Sequence, residues 1–165
     1  MARKVFLIYQ GADAHRAEQL AALKAIKACK LVSDQGREAV VQAGGAAAVG
    51  WIRRQIRGCS CAIVLIGSET CGDRWVNQAL YEAWESWKGL FAIHVHRLRD
   101  EAGRRSKKGP SPFERYVMDR DNSLSMSSVV RSYDPPFSDS ANALAHIKKN
   151  LARWVEEAIS IRLAY

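Results

Sequence analysis

The chain has no apolar segment long enough to place it in a membrane. A spanning helix needs roughly 18 to 20 consecutive apolar residues, and runs such as residues 62–66 stop far short of that. Cysteines at metal or redox spacing are also missing. Cys29, Cys59, Cys61 and Cys71 form no C-x-x-C pair, and no histidines stand at zinc-finger distance from them, so neither a metal site nor a redox motif is expected. Cys59 and Cys61 read as small core residues on one face of a strand, in a reducing compartment. No G-x-G-x-x-G follows the first apolar run, which excludes a Rossmann dehydrogenase. A phosphoacceptor receiver is excluded as well: the places of its acidic cluster and central aspartate hold Tyr9-Gln10 and Gly67-Ser68, with only Asp13 nearby. No secretory leader is expected either. Met1-Ala2-Arg3-Lys4 is basic, but the apolar stretch behind it ends at Gln10-Gly11-Ala12-Asp13, too early for an h-region. Read instead as a first strand, this segment implies a cytoplasmic protein with no membrane partner.

The composition itself is globular: 48% hydrophobic and 25% charged over 165 residues. That suffices for one domain with a real core, residues 1–165, and is too little for two. Acidic residues are the minority, 17 against 25 Lys and Arg, for a net charge of +8. The excess gathers at Arg97, Arg99, Arg104, Arg105, Lys107 and Lys108, and at Arg53, Arg54 and Arg57. No RNP aromatics, helix-turn-helix or zinc finger accompanies it, so nucleic acid stays a minor alternative. The segment reads as a solvated basic loop, compatible with attracting a small polyanion.

Residues 4–9 form a short β-branched and aromatic run, expected to be a strand. Residues 14–30 are rich in Ala, Leu, Lys and Glu, with Leu20, Leu23 and Ile26 at helical spacing, and are expected to be one helix. Residues 31–45 read as loops around Val32-Ser33-Asp34-Gln35-Gly36 and Gly44-Gly45. A helix over 46–57 follows, with Val49, Ile52 and Ile56 on one face and Gly58 at C′. The clearest strand is 60–66. Asp73 is a plausible N-cap for a helix running to Lys88 and closed by Gly89. Residues 90–96 are expected as a strand, 97–112 as a polar loop and 127–133 as one more strand. An amphipathic helix over 139–162 packs on the sheet through Leu144, Ile147, Leu151, Val155, Ala158 and Ile161. Trp84, Trp87 and Trp154 are assigned to the core, and residues 119–136 carry no functional signal. Apolar strands alternating with helices imply a parallel sheet covered on both faces. Ligands of such sheets bind at the carboxyl ends of the strands, which nominates the loops 9–13 and 67–70 and the turn after His94 and His96.

The segment Ile63-Val64-Leu65-Ile66-Gly67-Ser68-Glu69-Thr70, followed by Asp73-Arg74-Trp75-Val76-Asn77, resembles TIR-like proteins, in particular the ThsB family of the Thoeris anti-phage system. The resemblance includes Val32-Ser33-Asp34, Trp51-Ile52, Gln55-Ile56 and Ser60-Cys61 upstream. Downstream it includes Lys88-Gly89-Leu90, Ile93-His94-Val95-His96 and Lys108-Gly109, and it is strongest over 3–116. It implies a flavodoxin-like, TIR-like single α/β domain that takes NAD as substrate, without a metal, and cleaves the nicotinamide–ribose bond. The family's product is a cyclic ADP-ribose-type signal that diffuses to an effector protein; a homo-oligomer is compatible with this. The family's catalytic Glu stands four residues after the Trp, and this chain has Ala79 there. The resemblance therefore implies an inactivated copy, by deliberate replacement or as a natural variant.

The chemistry explains why that residue matters. Loss of nicotinamide leaves an oxocarbenium-like ribose, which a positioned carboxylate stabilises. The leaving ring nitrogen is already cationic and needs no general acid, so one carboxylate can suffice. Trp75, Ala79 and Glu82 are spaced i, i+4, i+7 and share one helix face, expected to open toward the strand ends. Val76, Leu80, Ala83 and Trp84 are expected to face the core. Glu82 is a weak stand-in, one turn further on and expected at the surface. Substrate contacts are expected from Tyr9 (stacking on a base), Gln10 and Ser68 (ribose or phosphate), Trp75 and Asn77. For each, packing or turn capping is the rival reading, as it is for Asp34, His94 and His96. The rival at the level of the whole protein is a non-catalytic TIR-like adaptor.

Overall fold

The computed structural model describes residues 2–118 and 123–165. Five parallel strands, β1 (Arg3–Ile8), β2 (Ile26–Ala28), β3 (Cys61–Ile66), β4 (Gly89–His94) and β5 (Ser132–Tyr133), lie in the order β2-β1-β3-β4-β5. This is the flavodoxin-like order, with its switch point between β1 and β3. Helices α1 (Ala14–Ala21) and α5 (Ser140–Ala164) cover one face; α2 (Asp34–Ala43), α3 (Gly45–Ile56) and α4 (Arg74–Glu85) cover the other. Because β3 and β4 are covered on both faces, all their residues are buried and their sequence is an unbroken apolar run. Phe6, Ile8, Val64 and Ile66 point to the α2–α4 side, while Leu7, Ile63, Leu65 and Phe91 point to the α1–α5 side. Cys59 and Cys61 belong to opposite cores, not one face, because Cys59 lies in the turn before the strand starts.

Several boundaries differ from the sequence expectation. The helix expected over 14–30 stops at Ala21, and residues 26–28 pair with Arg3, Lys4 and Val5 as the edge strand β2. Sheet pairing overrides the helical propensity of Ala and Lys there. The 31–45 stretch contains α2, started by the Ser33 hydroxyl, which accepts from the Gly36 amide at 3.0 Å. Of the strand expected over 127–133, only Ser132 and Tyr133 pair; residues 126–128 form a 3-10 turn.

Helix α4 begins as its cap predicts, with Asp73 accepting from the Val76 amide at 2.9 Å. It ends earlier, at Glu85, in a Schellman motif: Lys88 N–H reaches Ala83 O and Trp87 N–H reaches Trp84 O, both at 3.1 Å. Trp87 takes the left-handed position, φ 62°, usually given to glycine. Gly89 has a different duty. A Cβ there would lie 2.9 Å from the backbone nitrogen of Ile159, so it admits α5 against the sheet. Of the three tryptophans assigned to the core, Trp154 is buried, Trp84 is half-buried, and Trp87 is 62% exposed with the Arg162 guanidinium 3.7 Å above its ring. Helix α5 packs through Ala143, Ile147, Leu151, Trp154, Val155 and Ala158; Leu144 and Ile161 only flank that stripe.

Candidate functional site

At the switch point the chain leaves β1 toward β2 on one side while β3 lies on the other, and the diverging loops leave a crevice. A cavity of about 750 Å³ opens there, lined by Gln10 and Gly11 after β1, Asp34 and Arg37 of α2, and Asp73 and Trp75 at the start of α4. That is ample for a nucleotide-sized ligand. Two smaller depressions extend it along the carboxyl edge of the sheet. One, of about 480 Å³, shares Gln10, Gly72 and Asp73 with the cavity and includes Ser68 and Pro110. The next, of about 340 Å³, shares Pro110 and ends at His94 and Lys108.

The floor of this groove is held by close approaches. A Cβ on Gly67 would fall 2.1 Å from a carboxylate oxygen of Asp13, and one on Gly109 would fall 2.1 Å from Gly67 O. The buried Thr70 hydroxyl accepts from Gly67 N at 2.8 Å and donates to Leu65 O at 3.3 Å, fixing the turn after β3. Asp13 pairs at 2.7 Å with Arg16, and both side chains are almost fully buried. Arg16 also donates to Leu98 O and Arg104 O at 2.8 and 2.9 Å. The basic segment is largely exposed, as expected of a solvated loop, but it is anchored at three points: Arg97 donates to Pro135 O, Arg105 to Ser138 O, and Lys108 pairs with Asp134. Those three cations tie it to the segment around β5 and the start of α5.

The nominated residues divide. Gln10 lines the cavity, and its side-chain oxygen accepts from Ala12 N at 2.8 Å. Ser68 is exposed on the adjoining depression. Trp75 forms part of the cavity wall and meets Trp51 edge to face, with centroids 6.0 Å apart. Tyr9 is 3% exposed, its hydroxyl donates to Val32 O at 3.2 Å, and its ring lies 4.8 Å beneath the Arg37 guanidinium. That arrangement leaves no ring face for a base, and burial raises the phenol pKa against the opposing pull of Arg37. Asn77 is committed internally. Its amide nitrogen donates to Cys71 O and Asp73 O at 2.9 and 2.8 Å, and its oxygen accepts from the Tyr116 hydroxyl at 2.8 Å. It fastens the loop that forms one cavity wall.

The face expected to open toward the strand ends is buried along its length. Only Trp75 reaches the cavity; Ala79 has no exposed surface and sits in the α2–α4 core. Glu82 is not a surface residue: it is 4% exposed and accepts from Arg53 Nε at 2.8 Å. His94 and His96 are buried, each with an Nδ1 that has no partner among the described residues. Burial lowers the pKa of His94 to about 4 and lowers that of His96 also. Among the described residues no cluster of three or more His, Cys, Asp or Glu side chains could hold a metal ion, and no helix is long and apolar enough to cross a membrane. Sequence reading missed Arg37, whose only signal was its i+3 spacing from Asp34 just after the Ser33 cap.

The sequence model of the Thoeris protein ThsB TIR-like domain matches residues 6–100, more than half of the chain and every cavity-lining residue named above. The chain belongs to the ThsB TIR-like family. A protein of Bacillus cereus (strain MSX-D12) named "Putative cyclic ADP-D-ribose synthase ThsB1" is 36% identical over 55 residues, which span 33% of this chain and 29% of that protein. The ThsB match runs from the second half of β1 through β4 and includes the loops of the switch point, while β5 and α5 lie outside it.

Proposed function

We propose that the switch-point cleft binds NAD, and that the intact form of this ThsB-type enzyme breaks the nicotinamide–ribose bond to give a cyclic ADP-ribose-type nucleotide. Attack on the ribose by a nucleophile of the same molecule gives the cyclic product; attack by water gives ADP-ribose. Both routes pass through a cationic ribose that needs a carboxylate near it. The observation that carries this reading is the cavity of about 750 Å³ with Trp75 in its wall, one helical turn before Ala79. Ala79 itself has no exposed surface, so a glutamate there meets the cleft only by extending one turn toward the helix N-terminus, past Trp75. With alanine there the chain holds NAD without turning it over. The product of an intact copy reaches its effector by diffusion in the cytoplasm, so no protein interface with the effector is required.

The test is an amide and indole NMR titration with NAD. Shifts clustered on residues 10–11, 34–38 and 72–75, including the Trp75 indole, are the expected result. No shifts, or shifts confined to the far end of α5, would overturn the reading. The second result would favour a non-catalytic adaptor, which the exposed Trp87, Leu163 and Tyr165 would serve. That reading predicts self-association in the ultracentrifuge and no NAD cleavage with either residue at 79.

A further inference from the structure

Arg37 is the one cation in the cleft that is nearly buried: its side chain is 7% exposed, while the Asp34 side chain paired with it is 80% exposed. The guanidinium rests on the Tyr9 ring and donates to two oxygens of unlike character. Val32 O is a fixed backbone acceptor in the interior. The Asp34 carboxylate stands at the start of α2, in solvent, and an exposed i,i+3 pair is a weak contact. Gly11 lies directly under the pair, since a Cβ there would come within 2.8 Å of Asp34 Oδ1 and 3.3 Å of Arg37 Nη2. The loop after β1 is thus shaped to leave this pair facing the cavity.

We propose that Arg37 is the phosphate anchor of the cleft and that Asp34 is its internal placeholder, displaced by a phosphate oxygen when a nucleotide diphosphate enters. This rests on the nucleotide reading given above. A guanidinium fork suits a phosphate at least as well as a carboxylate, and this one is already desolvated and oriented by Val32 O and the Tyr9 ring. With Asp34 in place, the cavity lining has three carboxylates, Asp34, Glu38 and Asp73, against the guanidinium groups of Arg37 and Arg74. Once Asp34 swings into solvent, two of each remain, and Asp73 is occupied in capping α4. The placeholder therefore makes the empty cleft unwelcoming to stray anions and lets in a ligand able to displace it.

The experiment is calorimetry of the parent, Asp34→Asn, Arg37→Gln and the double variant with three probes: inorganic pyrophosphate, NAD and nicotinamide riboside. Removing one competing, solvent-screened like charge should tighten pyrophosphate and NAD by about 2- to 5-fold, leave the riboside unchanged, and have no effect in the Arg37→Gln background. Asp34 is exposed, so Asp34→Asn keeps the fold whatever becomes of the Arg37 variant. Equal or weaker binding of both phosphate ligands by Asp34→Asn overturns the anchor, and so does an equal gain for the riboside or a gain that survives loss of Arg37. NAD bound equally by parent and Asp34→Asn leaves the nucleotide reading standing and removes the anchor. Tighter pyrophosphate with no NAD binding in any form does the reverse.

Discussion

Replacing Asp13 with Asn should cost far more than an ordinary surface ion pair. Asp13 and Arg16 are 2% and 3% exposed at the side chain and 2.7 Å apart, beneath the loop that follows β3. Burial raises the pKa of Asp13 even though Arg16 opposes it, so the pair is no large net gain over well-packed apolar residues. The cost lies in leaving one partner alone. Asp13→Asn keeps the shape against Gly67 but strands the Arg16 cation, a loss of about 3–5 kcal/mol. At about 2–4 °C per kcal/mol for a chain of this size, the thermal midpoint should fall by roughly 10 °C. Urea denaturation followed by circular dichroism gives the free energy directly. The double variant Asp13→Leu, Arg16→Met should recover much of the loss, though not all, because Leu98 O and Arg104 O lose the donor they share. A loss under about 1 kcal/mol for Asp13→Asn, or a double variant worse than the sum of the two singles, would refute the reasoning.

The folded-state pKa of His94 is lowered to about 4 from 6.5, so the unfolded chain binds the proton first. Stability should fall by about 2 kcal/mol as the pH drops from 6.5 to 4, and His94→Gln should flatten that slope in melts at a series of pH values. Gly89→Ala would push a methyl into the α5 backbone, 2.9 Å from Ile159 N. It should cost about 1–3 kcal/mol, whereas the same change at Gly72, with nothing within 4 Å, should be close to neutral in chemical denaturation. The Cys29 pKa is lowered to about 7 by its hydrogen bond with the Cys59 thiol and by Lys4, while the same hydrogen bond and burial push that of Cys59 upward, and burial pushes that of Cys61 upward. Mass spectrometry after brief alkylation near neutral pH should therefore find Cys29 modified well before Cys59 or Cys61.

The elements that could be read from the sequence were those whose local signals agreed with their tertiary setting. β1, β3 and β4 are apolar runs because both faces are covered, and α4 starts where Asp73 caps it. β2 could not be read. Three residues, Ile26-Lys27-Ala28, between Ala25 and Cys29 carry no strand pattern, and only the neighbouring β1 makes them a strand. The end of α4 was misplaced because Trp87 takes the left-handed position and frees Gly89 for its contact with α5. At the site, strand-end logic pointed to three loops, of which 9–13 lines the cavity through Gln10 and Gly11, and Trp75 lines it too. Helical spacing could not tell which side of α4 faces solvent, because α3 packs against it: Arg53 pairs with the buried Glu82, and Ala79 is fully buried in the core. Arg37 escaped notice because an arginine in a short polar helix usually lies at the surface.

Nicotinamide release from NAD by the parent chain and by Ala79→Glu, each shown to be folded by circular dichroism, tests the central claim most directly. The account predicts no release from the parent and measurable release once a carboxylate stands one turn past Trp75. Folded Ala79→Glu protein that leaves NAD intact, or a parent chain that consumes it, would contradict the account.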